Sequence, residues 1–261
     1  MKQLVLKILV VCLFFSAGCA KAPPERVRIV VTTSLIGSIV KEVGKDRIDV
    51  VAIVPSGMCP GHFDVKPGDI AAASDAKLLL SHGWEGWMSK LLSAVENERL
   101  LTKTVNVKGN WMIPDLQIQA TRKITGILCA LDEDNCKGYR ENSSKYITSI
   151  KFAESRIKRF KNVKALVSKM QAPFIKWLGI KVAAAYGRPE DLTPSEMIKL
   201  INIGKNEKVE LVVDNLQSGP VAGKQIAQEI GVKQVMLTNF PQGSYILSLN
   251  QNVEKIIKAL R

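Results

Sequence analysis

RVRIVVTTSLIGSIVKEVGKDRIDVVAIVPSG, residues 26–57, reads as one strand, one helix and a second strand. RVRIVVTT is dominated by β-branched residues and predicts a strand over 26–33. Ser34 stands at a helix start, and apolar residues at helical spacing carry that helix to Gly44. IDVVAIV returns to β-branched residues and predicts a strand over 48–54. Two nearly continuous apolar strands joined by a helix belong side by side and parallel, in a sheet covered on both faces.

The same alternation runs outward. The pattern predicts a short helix over 67–74, a strand over 76–82, a helix over 84–95, a strand over 102–107 and a helix over 115–130. It resumes with strands over 163–168, 181–186, 209–214 and 234–238 and helices over 174–178, 194–205, 220–230 and 244–260. Between the two sets lies YRENSSKYITSIKFAESRIKRF, a helical pattern without glycine or proline after Gly138. The fold class expected is therefore α/β: two parallel-sheet βα lobes, 27–132 and 161–261, joined by one backbone helix over 133–160.

The first residues address the chain. Lys2 and Lys7 precede a short apolar run, Ile8 to Phe15, which closes on Ser16, Ala17, Gly18 and Cys19. That run is too short to span a bilayer, and its end is similar to the lipobox of bacterial lipoproteins. A signal peptide over 1–18, lipidation of Cys19 and a tether over 19–26 are expected, with the mature chain outside the cytoplasmic membrane; a plain cleaved signal is the alternative. Removing 1–18 takes the 37 basic residues to 35 against 24 acidic ones, leaving a net charge of +11. The basic residues, among them Lys151, Arg156, Lys158, Arg159 and Lys161, follow helices without aromatic interleaving, so attraction to anionic lipid or plain solvation is expected, not nucleic-acid binding. Processing removes Cys12, and with Cys19 taken as the anchor, Cys59, Cys129 and Cys136 remain. Cys129 and Cys136 flank the turn LDEDN and are placed to pair, leaving Cys59 free; all three reduced is equally open.

In open parallel sheets ligands collect beyond the carboxyl ends of the strands. Those positions hold Thr32, Thr33, Cys59, His62 and His82 in the first lobe, and Gln171, Tyr186, Asp214, Asn215, Thr238 and Asn239 in the second. Cys59 and His62, in PSGMCPGHFDVKPGDI (55–70), offer a thiolate and an imidazole from one loop, a pair suited to zinc, copper(I), nickel or iron. Gly57 and Gly61 give that loop freedom to turn. His82 is the third candidate ligand, against a reading as a strand-end hydrogen-bonding residue. Thr33, Trp111, Gln171, Asn215, Thr238 and Asn239 are expected to line the cleft. Trp84, Trp87 and Trp111 are expected in the lobe core, Trp111 also walling the cleft.

The strings VVTTSLIGSIVKEVGKDRIDVVAIVPSG, HFDVKPGDIAAASDAKLLLSHGWEGWMSKL, NWMIPD and the run from QAPF through LGIKVAAAYG together resemble the TroA-like solute-binding proteins of zinc and manganese ABC importers. The resemblance implies an extracytoplasmic, monomeric receptor. It would capture a divalent metal, zinc foremost, between two lobes and deliver it to a membrane permease with its ATPase. In that family a PHxYEPxPxDI loop, HxWxDP and HxAFxYF segments and a final strand-end carboxylate supply the metal ligands. Those positions fall here on Gly61, Gly109, Gln171 and Thr238, none of which reproduces the family donor. Asp214 matches an acidic position that is structural in the family.

Three other functions are weighed on the residues. A receptor of the same fold for a metal chelate or another small polar ligand would use the neutral amides and hydroxyls. A thiol enzyme would use Cys59 with His62, but neither a third orienting group nor an oxyanion site is legible, and no enzymatic role is expected. A purely adhesive lipoprotein would fit the leader and the basic surface as well.

Overall fold

A computed structural model describes residues 26–261; the signal peptide, Cys19 and nearly all of the tether lie outside the described residues. β1 (Val27–Thr33) is buried from Ile29 onward because it runs through the middle of its sheet. Helix α1 (Ser34–Gly44) returns the chain to β2 (Ile48–Val54), which pairs in parallel with β1, Ile29 opposite Val50. Helix α2 (Pro67–Ser74), β3 (Leu78–Ser81), α3 (Met88–Ala94) and β4 (Leu101–Thr104) complete a parallel sheet of order β2-β1-β3-β4. Thr33, not Ser34, is the α1 N-cap, its hydroxyl accepting from the Ile36 N–H at 3.5 Å.

After α4 (Pro114–Leu131) and α5 (Cys136–Ser155), the second lobe repeats the device. β5 (Lys164–Ser168), α6 (Ala172–Trp177), β6 (Lys181–Tyr186), α7 (Pro194–Glu207), β7 (Leu211–Asn215), α8 (Val221–Ile230), β8 (Lys233–Leu237) and α9 (Tyr245–Ala259) give a sheet of order β6-β5-β7-β8, again all parallel. Both sheets therefore turn their strand ends, and the loops that follow, to one side. The two-lobed parallel architecture agrees with the sequence reading.

The expected helix over 133–160 is shorter, Cys136–Ser155. Residues 133–135 form a single tight turn, and beyond Arg156 the chain bends so that the Phe160 N–H reaches the Leu178 carbonyl at 2.8 Å. The helix closes in a local turn, the Arg156 N–H reaching the Ala153 carbonyl at 3.3 Å, and the bond to Leu178 holds the chain that follows. Within α5, Tyr139, Ser143, Tyr146, Ile150 and Ala153 are buried at alternating spacings of four and three, one face of a helix. That face joins a single apolar core with Ile39 and Ile124 of the first lobe and Val253 of the second. The Asn142 amide also donates to the Val43 carbonyl at 2.9 Å. Cys129 and Cys136 form a disulfide across the acidic turn, and Cys59 is free. The helix expected over 84–95 starts only at Met88, because residues 82–84 are held in a turn by Glu85. Among the described residues no helix is long and apolar enough to cross a membrane.

Candidate functional site

The loop after β2 is fastened from below. Trp87, buried on the lead into α3, donates its indole N–H to the Pro60 carbonyl at 2.7 Å, and its ring packs on Phe63. This fixes the tight turn Pro60–His62 while Cys59 stays half-buried and His62 exposed at its rim. Both side chains meet the same group from the other lobe. Arg188, two residues past the end of β6, donates Nη2–H to Cys59 Sγ at 2.8 Å, and its Nη1 lies on the His62 ring, 3.1 Å from Nε2 and hydrogen-bonded to Nδ1. A guanidinium carries only donors, so the sulfur and the ring nitrogen are both acceptors here. Two soft donors thus converge on one point, and a fixed positive charge stands at it.

His82 belongs to a different cluster. Its Nε2 lies 2.9 Å from the Thr33 hydroxyl, and its ring stacks on Trp84 at 5.1 Å and against Trp111 at 4.5 Å between centroids. Enclosure by these rings pushes its pKa down to about 4, with the nearby Glu85 carboxylate opposing the shift, so the ring is neutral at pH 7. Glu85 itself is buried. It accepts from the Thr32 hydroxyl at 2.5 Å and from the N–H groups of His82, Gly83 and Trp84 at 2.8–3.0 Å. Trp84 is 52% exposed, against the expectation of a core residue, because that turn presents it outward over His82; Trp87 and Trp111 are buried as expected. A cavity of about 490 Å³ opens beside these rings, bounded across the cleft by Met170, Asn239 and Phe240.

The second-lobe wall is a chain of amides and hydroxyls. Gln171 donates to Asn215 Oδ1 at 3.0 Å, and Asn215 donates to the Ser218 hydroxyl at 2.8 Å. Gln217 donates to the Thr238 hydroxyl at 2.9 Å and to the Ser56 carbonyl of the first lobe at 2.7 Å. Asn110, between the sheet and α4, bonds Asn239 Oδ1 at 2.8 Å and the Met170 carbonyl at 3.0 Å, and Tyr245 of α9 donates to the Met112 carbonyl at 3.0 Å. The lobes are therefore bridged by neutral hydrogen bonds as well as by Arg188. Gln171 Oε1 is buried without a partner among the described residues, an acceptor left for a donor or cation. Asp214 faces away from the cleft: it accepts from Tyr186 at 2.7 Å and Gln234 at 2.5 Å and lies against Gly223, where any side chain would collide with it. Burial raises its pKa, partly offset by those two bonds.

The structure thus brings Cys59 and His62 together and leaves His82 with Thr33 and Trp111. Among the described residues no three histidine, cysteine, aspartate or glutamate side chains cluster as a metal shell would need. At the Gly61 position a Cβ would lie 3.7 Å from Arg188 Nη2 and 3.8 Å from Cys59 Sγ, ordinary contact distances. Gly109 differs: its φ of +109° is a conformation that side-chain-bearing residues rarely adopt. Arg188, Glu85, Asn110 and Gln217 are missed by the sequence reading. Arg188 was within reach of the strand-end rule, which stopped at Tyr186 two residues short.

A family model described as ZnuA, zinc-uptake complex component A, periplasmic, matches residues 29–259. The chain is 25% identical to the iron ABC transporter substrate-binding lipoprotein MtsA of Streptococcus pyogenes serotype M1, over 97% of this chain and 94% of that protein. It is 24% identical to the manganese ABC transporter substrate-binding lipoprotein PsaA of Streptococcus mitis, over 98% and 96%. A crystal structure of ZnuA superposes with a TM-score of 0.78 at 21% identity, covering 91% of this chain and all of that one. The resemblance read from the loop frames therefore extends over nearly the whole described chain.

Proposed function

The chain belongs to the ZnuA family of periplasmic zinc-uptake components, and on that premise we propose that it is the metal-capturing receptor of an ABC importer. It is a binding protein rather than an enzyme, held outside the cytoplasmic membrane as a monomer by lipid on Cys19. It takes a transition metal, zinc foremost, into the cleft and passes it to a permease driven by its ATPase. The observation that carries this reading is the convergence of Cys59 Sγ and His62 on one point, now held by Arg188. Arg188 is the cation that keeps the two donors gathered, and it leaves when the metal takes them. His82 joins that shell only if the cleft rearranges, because Thr33 and two tryptophans hold it elsewhere.

A second reading has its own support. The Arg188 charge and the neutral groups Gln171, Asn215, Thr238 and Asn239 suit an anionic metal chelate or small polar ligand better than a bare cation. Calorimetric titration of zinc into metal-free protein, with Cys59→Ser and His62→Ala alongside, separates the two. Direct capture predicts binding that both variants weaken at least tenfold, consistent with loss of one of few ligands. Wild-type protein that binds no zinc, or variants that bind as tightly as it does, would refute direct capture.

A further inference from the structure

Away from the cleft, the last turns of α5, the segment 156–163 and one side of α9 enclose an open groove of about 1210 Å³. Its floor is apolar, with Phe160, Ile246, Val253 and Ile257, and Phe152 stands at its edge 62% exposed. Its rim is cationic: Arg156, Lys158, Arg159, Lys161 and Arg261 line it, against one carboxylate, Glu254. Two of those arginines are already committed to aromatic rings. Arg156 lies 5.6 Å from the Phe152 centroid and Arg159 3.7 Å from that of Trp177, and Arg159 is also paired with the Glu154 carboxylate at 3.4 Å. Lys158, Lys161 and Arg261 are exposed, and their side chains make no hydrogen bond or ion pair among the described residues.

We infer that this groove is a membrane-docking face whose occupant is the anionic surface of a phospholipid bilayer. A large aromatic side chain at the edge of an apolar trough, inside a ring of positive charge, matches the two layers of such a surface. The cations meet the head-group phosphates, and Phe152 enters the shallow acyl boundary. Charge complementarity selects this occupant over a neutral bilayer, since the apolar floor alone does not account for the cationic rim. A basic patch adds electrostatic attraction for anionic lipid to whatever hold the proposed anchor at Cys19 supplies. The proposed anchor precedes β1 in the first lobe, whereas the groove belongs to the second lobe and the backbone helix. Held at both places, the molecule lies along the membrane.

The test is flotation of the full chain with vesicles of pure phosphatidylcholine and with vesicles in which a third of the lipid is phosphatidylglycerol. Taking the ratio of the two partition coefficients cancels the part due to the leader or its lipid. Wild type should favour the anionic vesicles by at least tenfold, falling as salt is raised. Each basic residue near such a surface is worth about fivefold, so Lys158→Glu with Lys161→Glu and Arg261→Glu should lower the ratio on the order of a hundredfold or abolish it. Phe152→Ser should weaken binding to the anionic vesicles several-fold, with the thermal unfolding midpoint showing that the fold is kept. The charge-matched control Lys41→Glu, Lys90→Glu and Lys224→Glu, on other elements, should leave the ratio within about threefold of wild type. A wild-type ratio near one, or an equal fall in the control, would overturn the docking face.

Discussion

Arg188→Ala is the perturbation that most directly probes the cleft. Arg188 spans the lobes and makes charged hydrogen bonds to Cys59 Sγ at 2.8 Å and to the His62 ring, with its side chain only 20% exposed. Its other charged partner, Glu190, is at 3.7 Å and largely exposed, and contributes little. Hydrogen bonds from a charged donor contribute about 1.5–3 kcal/mol each, and a weak sulfur acceptor together with partial solvation holds the pair to about the worth of one such bond. A metal must displace those bonds before it can take both donors. Removing the guanidinium should therefore tighten zinc binding by about 1.5–3 kcal/mol, roughly tenfold to a hundredfold. Displacement titration against a chromophoric chelator reads that change. Arg188→Lys keeps a charge but loses the two-pronged geometry, and should fall between wild type and Ala. Unchanged or weaker zinc affinity in Arg188→Ala would refute the idea that arginine and metal compete for one place.

Two further outcomes concern the first-lobe side of the cleft. His82 has a folded pKa of about 4 against an ordinary value near 6.5, so the unfolded chain binds the extra proton first as pH falls. Stability should be flat above pH 6.5 and drop by roughly 2–3 kcal/mol between pH 6.5 and 4. His82→Gln should flatten that slope in denaturant titrations, and an unchanged slope would sink the assignment. Glu85→Ala strips four donors of their acceptor at a buried site and should cost about 3–5 kcal/mol, measured by urea unfolding. A cost under about 1 kcal/mol would mean that the turn over 82–84 does not depend on this carboxylate.

The fold was legible because its signals are local. Runs such as IVV in β1 and LLL in β3 are apolar on both faces, as central parallel strands require, and helix starts at Pro67, Pro114 and Pro194 announce themselves. β4 is exposed at all four of its residues, and its expected span of 102–107 shrank and shifted to Leu101–Thr104 because no apolar periodicity marks that edge strand. Cys59 and His62 were legible as a pair because only two residues separate them in one loop. What they face was not, since Arg188 comes from more than a hundred positions downstream and only the closure of the lobes brings it there. The same holds for the Asn110–Asn239 and Gln217–Ser56 bridges, whose partners have no pattern in common. Glu85 was hidden differently: a lone carboxylate within an expected helix reads as surface, and only its three backbone partners reveal that it is an anchor.

The central claim is that metal is captured by the sulfur of Cys59 and the imidazole of His62. X-ray absorption at the zinc edge, on wild-type protein loaded with one equivalent of zinc, tests it most directly. Capture by these two side chains gives one sulfur at about 2.3 Å and at least one imidazole nitrogen at about 2.0–2.1 Å, with the sulfur lost in Cys59→Ser. A shell of oxygen and nitrogen alone in the wild type would contradict it.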